Sequence, residues 1–224
     1  MRTALVAGLF LAFYGLPGLA HDLSADDAVF VQGLEGAAAG PFLYLGAKHM
    51  FTGLDHLLFL LGVIFFLYRG RDVLLYVTLF TIGHSLTLLL GVWANWQVSE
   101  HLVDAIIGLS VVYKAFENMG GFDALGFRPD TRVAVLVFGL FHGLGLATKL
   151  QGYIATGDGL LTNLVSFNVG VELGQLLALA FILVALVEWR RHDSFRRQAF
   201  AANTVLMCAG FLLAGNQFAG YLFA

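Results

Sequence analysis

Long apolar segments alternate with short polar connections along almost the whole chain. Spanning a bilayer as a helix takes ~20 residues, and six segments approach or exceed that length: 46–68, 73–94, 102–118, 132–150, 160–188 and 199–223. Within most of them apolar residues fall on every side of the helix, as expected where lipid is the solvent. The pattern predicts an all-α fold, a polytopic transmembrane bundle of about six spans.

The first twenty residues have the layout of a secretory signal peptide. A basic start is followed by an apolar run to Tyr14 and by small residues before a predicted cleavage after Ala20. The run is short for a spanning helix, and an uncleaved anchor is the alternative. The predicted domains are a signal peptide at 1–20, an acidic periplasmic segment at 21–45 and a transmembrane domain at 46–224.

Composition agrees with a membrane protein and excludes several other classes. The chain is 59% hydrophobic and 12% charged, against about 45–50% and about 25% in soluble domains. A net charge of -3 gives no basic surface for nucleic acid. The single cysteine, Cys208, excludes a disulfide framework within the chain. No nucleotide-binding loop of the G-x-x-x-x-G-K-[ST] type occurs, which argues against transport driven by ATP hydrolysis within this chain.

Basic residues set the predicted orientation. They concentrate in the first, third and fifth connections, as Arg69, Arg71, Arg128, Arg132, Arg190, Arg191, Arg196 and Arg197. Connections rich in Lys and Arg stay in the cytoplasm, so both mature termini are predicted to be periplasmic. The signal peptide independently requires the same N-terminal location. We therefore expect a multi-pass protein of the bacterial inner membrane.

Ionisable residues inside the apolar segments are the candidates for function, because they are costly in lipid. Counting a rise of ~1.5 Å per residue, we expect side chains from four spans to meet at a similar depth. Imidazole and carboxylate ligands suit Zn, Ni, Cu or Fe. The predicted metal ligands are His49, Asp55, His56, His84, His142 and Glu172.

Helical spacing adds two expectations. In one continuous helix, His49 and His56 would lie on the same face, roughly 10 Å apart along the axis, with His49 at the outer mouth. Asn168, Glu172 and Gln175 would likewise share one face.

Each of these polar residues also has a purely structural interpretation. A single histidine in a membrane span is more often a hydrogen-bonding group between helices than a metal ligand. Asp104 is read as solvated at the outer end of its span, and Lys114 with Glu117 as an ordinary ion pair near the inner surface. Gly139, Gly143 and Gly145 are expected to serve close helix packing.

The segment His49–His56 reads H-M-F-T-G-L-D-H and resembles the H-P-x-x-G-x-D-H signature of the HupE/UreJ family. Phe141-His142-Gly143 resembles the F-H-G motif of that family, and residues 81–85 and 167–172 are similar to motifs of its second subgroup. Met50 replaces the proline of the signature, and 144–148 lack the second His and the Glu that follow F-H-G in the typical permease. The resemblance implies a membrane protein associated with hydrogenase or urease gene clusters and with nickel permeation.

Three functional hypotheses remain open from the sequence. The leading one is a permease for a divalent transition metal, with nickel as substrate. The second is an intramembrane hydrolase that holds zinc and an activated water. The third is an accessory protein that loads metal into, or assembles, a membrane complex. The expected partners are lipid and a metal ion, with a second copy or a metalloenzyme assembly as further possibilities.

Overall fold

The computed structural model describes residue 34 and residues 36–151 and 159–223. The predicted signal peptide, its cleavage site and most of the acidic segment lie outside these residues. The described residues form helices and no strand, which confirms the all-α prediction. The helices are α1 (Ala39–Thr52), α2 (Leu54–Ile64), α3 (Gly70–Trp93), α4 (Glu100–Asn118), α5 (Gly121–Ala124), α6 (Thr131–Gln151), α7 (Leu160–Arg190) and α8 (Phe195–Phe223).

Four of these helices, α3, α6, α7 and α8, are long and apolar enough to cross a membrane. The pair α1–α2 makes a fifth candidate if it is counted as one broken span. The remaining predicted span, at 102–118, does form a helix, α4, but four charged residues interrupt its apolar sequence: Glu100, Asp104, Lys114 and Glu117. The described residues thus show four or five candidate spans where the sequence predicts six.

The first predicted span is not one continuous helix. Helix α1 ends at Thr52, Gly53 takes an extended conformation with φ -66° and ψ 107°, and α2 starts at Leu54. The two halves are bent by 63°. Gly53 serves both helices, since its N–H donates to the His49 carbonyl at 2.9 Å and its carbonyl accepts from Leu57 N–H at 3.1 Å. The expectation of one shared helical face for His49 and His56 was therefore wrong.

Three long helix pairs form the bundle, and each pair is packed through glycine. The pairs are α1 with α7, α3 with α6, and α4 with α8. A side chain at Gly46 would overlap the Phe167 carbonyl, and one at Gly143 would overlap the His84 carbonyl. Small residues allow such close approach of backbones in membrane bundles. The predicted packing role of Gly143 is confirmed, and Gly139 has the same role against Phe80.

An arginine at the end of α7 holds the C-terminal end of α2. Arg190 donates hydrogen bonds to the carbonyls of Ile64 (2.6 Å), Phe65 (2.6 Å) and Leu67 (2.9 Å). Its guanidinium also lies 4.6 Å from the centroid of the Tyr68 ring. The last carbonyls of a helix need partners, and cations are favoured there by the helix dipole. Arg190 thereby anchors the short helix whose other end carries Asp55 and His56.

We expect Arg190→Lys to lower the free energy of unfolding by about 1–3 kcal/mol, because an ammonium cannot reproduce the planar fork that reaches three carbonyls. Thermal unfolding in detergent measures this. The matched control is Arg191→Lys, since Arg191 pairs with Glu188 at the exposed surface and such pairs contribute about 0–1 kcal/mol. Equal stability of the two variants would contradict the anchoring role of Arg190.

Candidate metal-binding site

The break at Gly53 places an acidic residue and a histidine at the start of α2. Asp55 lies in the first turn, where the positive end of the helix dipole favours a carboxylate. Its Oδ1 accepts hydrogen bonds from the backbone N–H of His56 at 2.9 Å and from the His56 ring at Nδ1 at 3.0 Å. Both side chains are buried, with Asp55 4% and His56 1% exposed. The carboxylate thus fixes the orientation of the imidazole.

Three histidines from three other helices lie around His56. The ring centroid of His56 lies 5.1 Å from that of His49, 5.1 Å from that of His142 and 6.2 Å from that of His84. Each of the four is buried. The bend at Gly53 brings the His49 and His56 rings far closer than a straight helix would. His49, expected at an outer mouth, is instead a buried member of this group, which we call the imidazole cluster (His49, His56, His84 and His142).

Hydrogen bonding indicates the tautomer of two cluster members. Nδ1 of His142 lies 2.7 Å from the Phe138 carbonyl, and Nδ1 of His56 faces the Asp55 carboxylate. Both oxygens act as acceptors, so Nδ1 carries the proton in each ring. In the neutral imidazole the lone pair then lies on Nε2. Metal-binding histidines usually donate their other N–H to a carboxylate or carbonyl in this way.

Apolar side chains enclose the cluster. The rings of Phe80 and Phe59 lie 4.9 and 5.4 Å from that of His142, centroid to centroid. A cavity of about 10 Å³ beside His56 is lined on other sides by Met50 and Gln175. That volume is close to the minimum for one water molecule. The setting therefore shields the imidazoles from bulk solvent.

Gln175 is a functional candidate that the sequence reasoning did not assign to the site. It is 2% exposed, it lines the cavity beside His56, and its Oε1 accepts a hydrogen bond from Thr81 at 2.9 Å. Gln175 lies seven residues after Asn168, which is also buried, so the two share one face of the helix. This spacing was the sequence feature that could have identified Gln175 as a site residue.

Glu172 does not join the buried imidazoles. It is exposed, whereas Asn168 and Gln175 on the same helix are buried. At 100° per residue Asn168 and Gln175 project within ~20° of each other, while Glu172 is rotated ~60° from Gln175. Asn168 and Glu172 are ~40° apart, and the edge of the buried face falls between these two residues. All three residues share one side of a continuous helix, as predicted, but Glu172 lies outside the buried part of that side and is not brought to the histidines.

The imidazoles are close together but are not arranged as a metal-ion site in this structure. The three ring pairs around His56 meet edge to face, at interplanar angles of 70–77°. Over residues 36–151 and 159–223, no group of three His, Cys, Asp or Glu side chains has the geometry to hold a metal ion. The structure thus gathers five of the six predicted ligands in one buried region without showing coordination.

Gly53→Ala should damage the site through steric contact. The dihedral angles of Gly53 suit alanine, but the added Cβ would lie 2.9 Å from the His49 carbonyl oxygen, 2.9 Å from Nδ1 of His56 and 3.2 Å from Oδ1 of Asp55. We expect metal affinity, measured by isothermal titration calorimetry, to fall about tenfold. Gly70→Ala is the control, because nothing lies within 4 Å of its added Cβ. Unchanged affinity in Gly53→Ala would contradict the positioning role of this glycine.

Fold and site together define a polytopic helical membrane protein that buries a histidine cluster beside a broken helix. The model of the HupE / UreJ protein family matches residues 25–224, almost the entire chain. The protein therefore belongs to the HupE/UreJ family, a family of membrane proteins linked to nickel and cobalt transport. No curated protein and no solved structure gave a match to the sequence.

Proposed function

We propose that this protein is a permease for a divalent transition metal, with nickel as the foremost substrate, and that the imidazole cluster with Asp55 is its transport site. The observation that carries the proposal is the convergence of four buried imidazoles from four helices, with His56, oriented by a carboxylate, at their centre. Nitrogen-rich sites of this kind suit Ni, Cu, Zn and Fe.

The spacing of the rings supports metal binding through small side-chain movements. Two imidazoles on one tetrahedral ion have ring centroids about 5 Å apart, because each coordinating nitrogen lies ~2.0–2.1 Å from the metal. The His49–His56 and His56–His142 centroid distances are both 5.1 Å. Ring rotation would turn Nε2 of His56 and His142 toward a common ion. A site that must assemble on binding suits a carrier, which has to release its ion again.

The broken helix supports transport in a second way. Discontinuous helices are a recurrent device of membrane transporters, since their ends present unpaired backbone groups and side chains to a substrate near the middle of the bilayer. Here the break places Asp55 and His56 at the start of a helix of 11 residues. That short helix contacts α1, α3, α4, α7 and α8. A movement of the short helix would therefore change its packing against these five helices.

We further propose that α4 also crosses the membrane, which brings the number of spans to six when α1–α2 counts as one. In this arrangement the connections rich in arginine lie in the cytoplasm. The three charged residues that follow the first turn of α4 are all in ion pairs. Asp104 pairs with Lys149 of α6 at 2.8 Å, and Glu117 pairs with Lys114 at 2.7 Å. Ionisable groups inside membranes commonly pair with one another, so their presence is compatible with a transmembrane helix. Labelling of single cysteines introduced into each connection, in intact cells, tests this topology, with Cys208→Ser as the background.

Purified protein in liposomes tests the transport function. Wild type should take up Ni²⁺, and elemental analysis should find substoichiometric, exchangeable metal. Asp55→Asn keeps the shape of the side chain but removes the charge that orients His56, so uptake should fall about 10–100-fold. Asp193→Asn, at an exposed position outside the helices, is the control. Tightly bound stoichiometric zinc without uptake of any metal would refute the permease and favour the hydrolase.

A further inference from the structure

A buried ion pair joins α4 to α6 near one end of the bundle. Lys149 donates to Oδ2 of Asp104 at 2.8 Å, and the two side chains are only 6% and 7% exposed. The sequence had suggested that Asp104 is solvated, and the structure shows that it is buried. Helix α6 supplies the explanation, because its last turn lays Lys149 over the Asp104 carboxylate.

This ion pair lies on the same side of α6 as the imidazole cluster. His142 and Lys149 are seven residues apart, hence on one face and ~10 Å apart along the axis. Gly145 lies between them, and an added Cβ there would be 3.4 Å from Oδ1 of Asp104. The absence of a side chain at Gly145 leaves the carboxylate facing the stretch of helix that leads to His142.

Half of the Asp104 carboxylate is left unsatisfied. Oδ1 is buried and makes no hydrogen bond with the described residues, whereas Oδ2 accepts from Lys149. A buried carboxylate oxygen without a partner is costly. A cation approaching the imidazole cluster from this end of the bundle would find that oxygen available as a ligand.

We propose that Asp104 is a cation-contacting residue on the route between the imidazole cluster and the nearer membrane surface, and that Lys149 holds this position when no metal is passing. The inference rests on the proposed transport function. A divalent cation at Oδ1 would compete with the ammonium for the carboxylate. Lys149 can withdraw, because its long stem lies in the last helical turn, near the end of the span, where lysine extends toward the surface.

The competing interpretation is that the Asp104–Lys149 ion pair only stabilises the packing of α4 against α6. Breaking a buried ion pair at one partner is destabilising, whereas removing both charges is often neutral. The two interpretations therefore differ in the double variant Asp104→Asn/Lys149→Met. If the ion pair only holds the two helices together, the double variant should have the thermal stability and the transport rate of the wild type. If Asp104 contacts the passing cation, the double variant should recover the thermal stability but not the transport rate.

Kinetics of Ni²⁺ uptake in liposomes, with thermal unfolding of the same preparations, test the proposal. Asp104→Asn and the double variant should raise KM about tenfold, which corresponds to the loss of one contact to a charged group. Lys149→Met should lower KM, since the competing ammonium is gone. The control is Lys114→Met/Glu117→Gln, which removes the other ion pair of α4; because that pair lies about ten residues further along the helix, KM should stay within about twofold.

The outcomes separate this inference from the function on which it rests. Uptake by wild type with unchanged KM in the double variant would overturn the role of Asp104 and leave the permease intact. Absence of uptake by wild type, with any of several divalent metals, would overturn both.

Discussion

Replacing His56 by alanine should abolish metal uptake, with a loss on the order of 100-fold or more, while the protein still folds. His56 is the central ring of the imidazole cluster, with His49 and His142 at 5.1 Å and His84 at 6.2 Å. Its removal takes away one proposed ligand, which is also the group that Asp55 orients. Loss of a group that only orients a metal ligand costs 10–100-fold in metal sites, so loss of the central proposed ligand should exceed that range.

Uptake of radiolabelled Ni²⁺ by cells and liposomes measures this effect, with protein abundance determined in the same membranes. The matched control is His192→Ala, because His192 is exposed in the connection between α7 and α8. Uptake by His56→Ala at the level of the control, at equal abundance, would rule out the cluster as the transport site.

Replacing Gly46 by alanine should prevent α1 from packing against α7. The added Cβ would overlap the Phe167 carbonyl, which is backbone and cannot move aside as a side chain can. Overpacking typically costs about 1–3 kcal/mol, and occasionally more. We expect the upper end of that range, because Gly170 and Gly174 also bring α7 against the backbone of α1. The variant should therefore accumulate poorly in membranes.

Gly215→Ala, in the interior of α8, is the matched control. Nothing lies within 4 Å of the added Cβ, and alanine is favoured over glycine in a helix interior by about 0.5–1 kcal/mol. Thermal unfolding of both variants in detergent should show Gly215→Ala equal to or above the wild type and Gly46→Ala well below it. Equal melting temperatures would contradict the assigned packing of α1 on α7.

Much of the candidate site could be predicted because its chemistry lies in short segments. His49, Asp55 and His56 fall within eight residues, and His84 and His142 lie inside apolar helices where an imidazole is unusual. Glu172 was misplaced, because spacing alone does not say where the buried face of α7 ends. Gln175 was overlooked as a site residue, because its place in the site becomes visible only from the cavity that it lines together with His56.

The sequence alone determined the class of protein and the approximate positions of its helices, because apolar length and composition are local properties of the chain. It also singled out the four histidines and Asp55 as candidate site residues. The tertiary structure decided how they meet. The bend at Gly53 and the pairing of Asp104 with Lys149, 45 residues away, depend on which helices become neighbours, and close approach through glycine backbones fixes those neighbours.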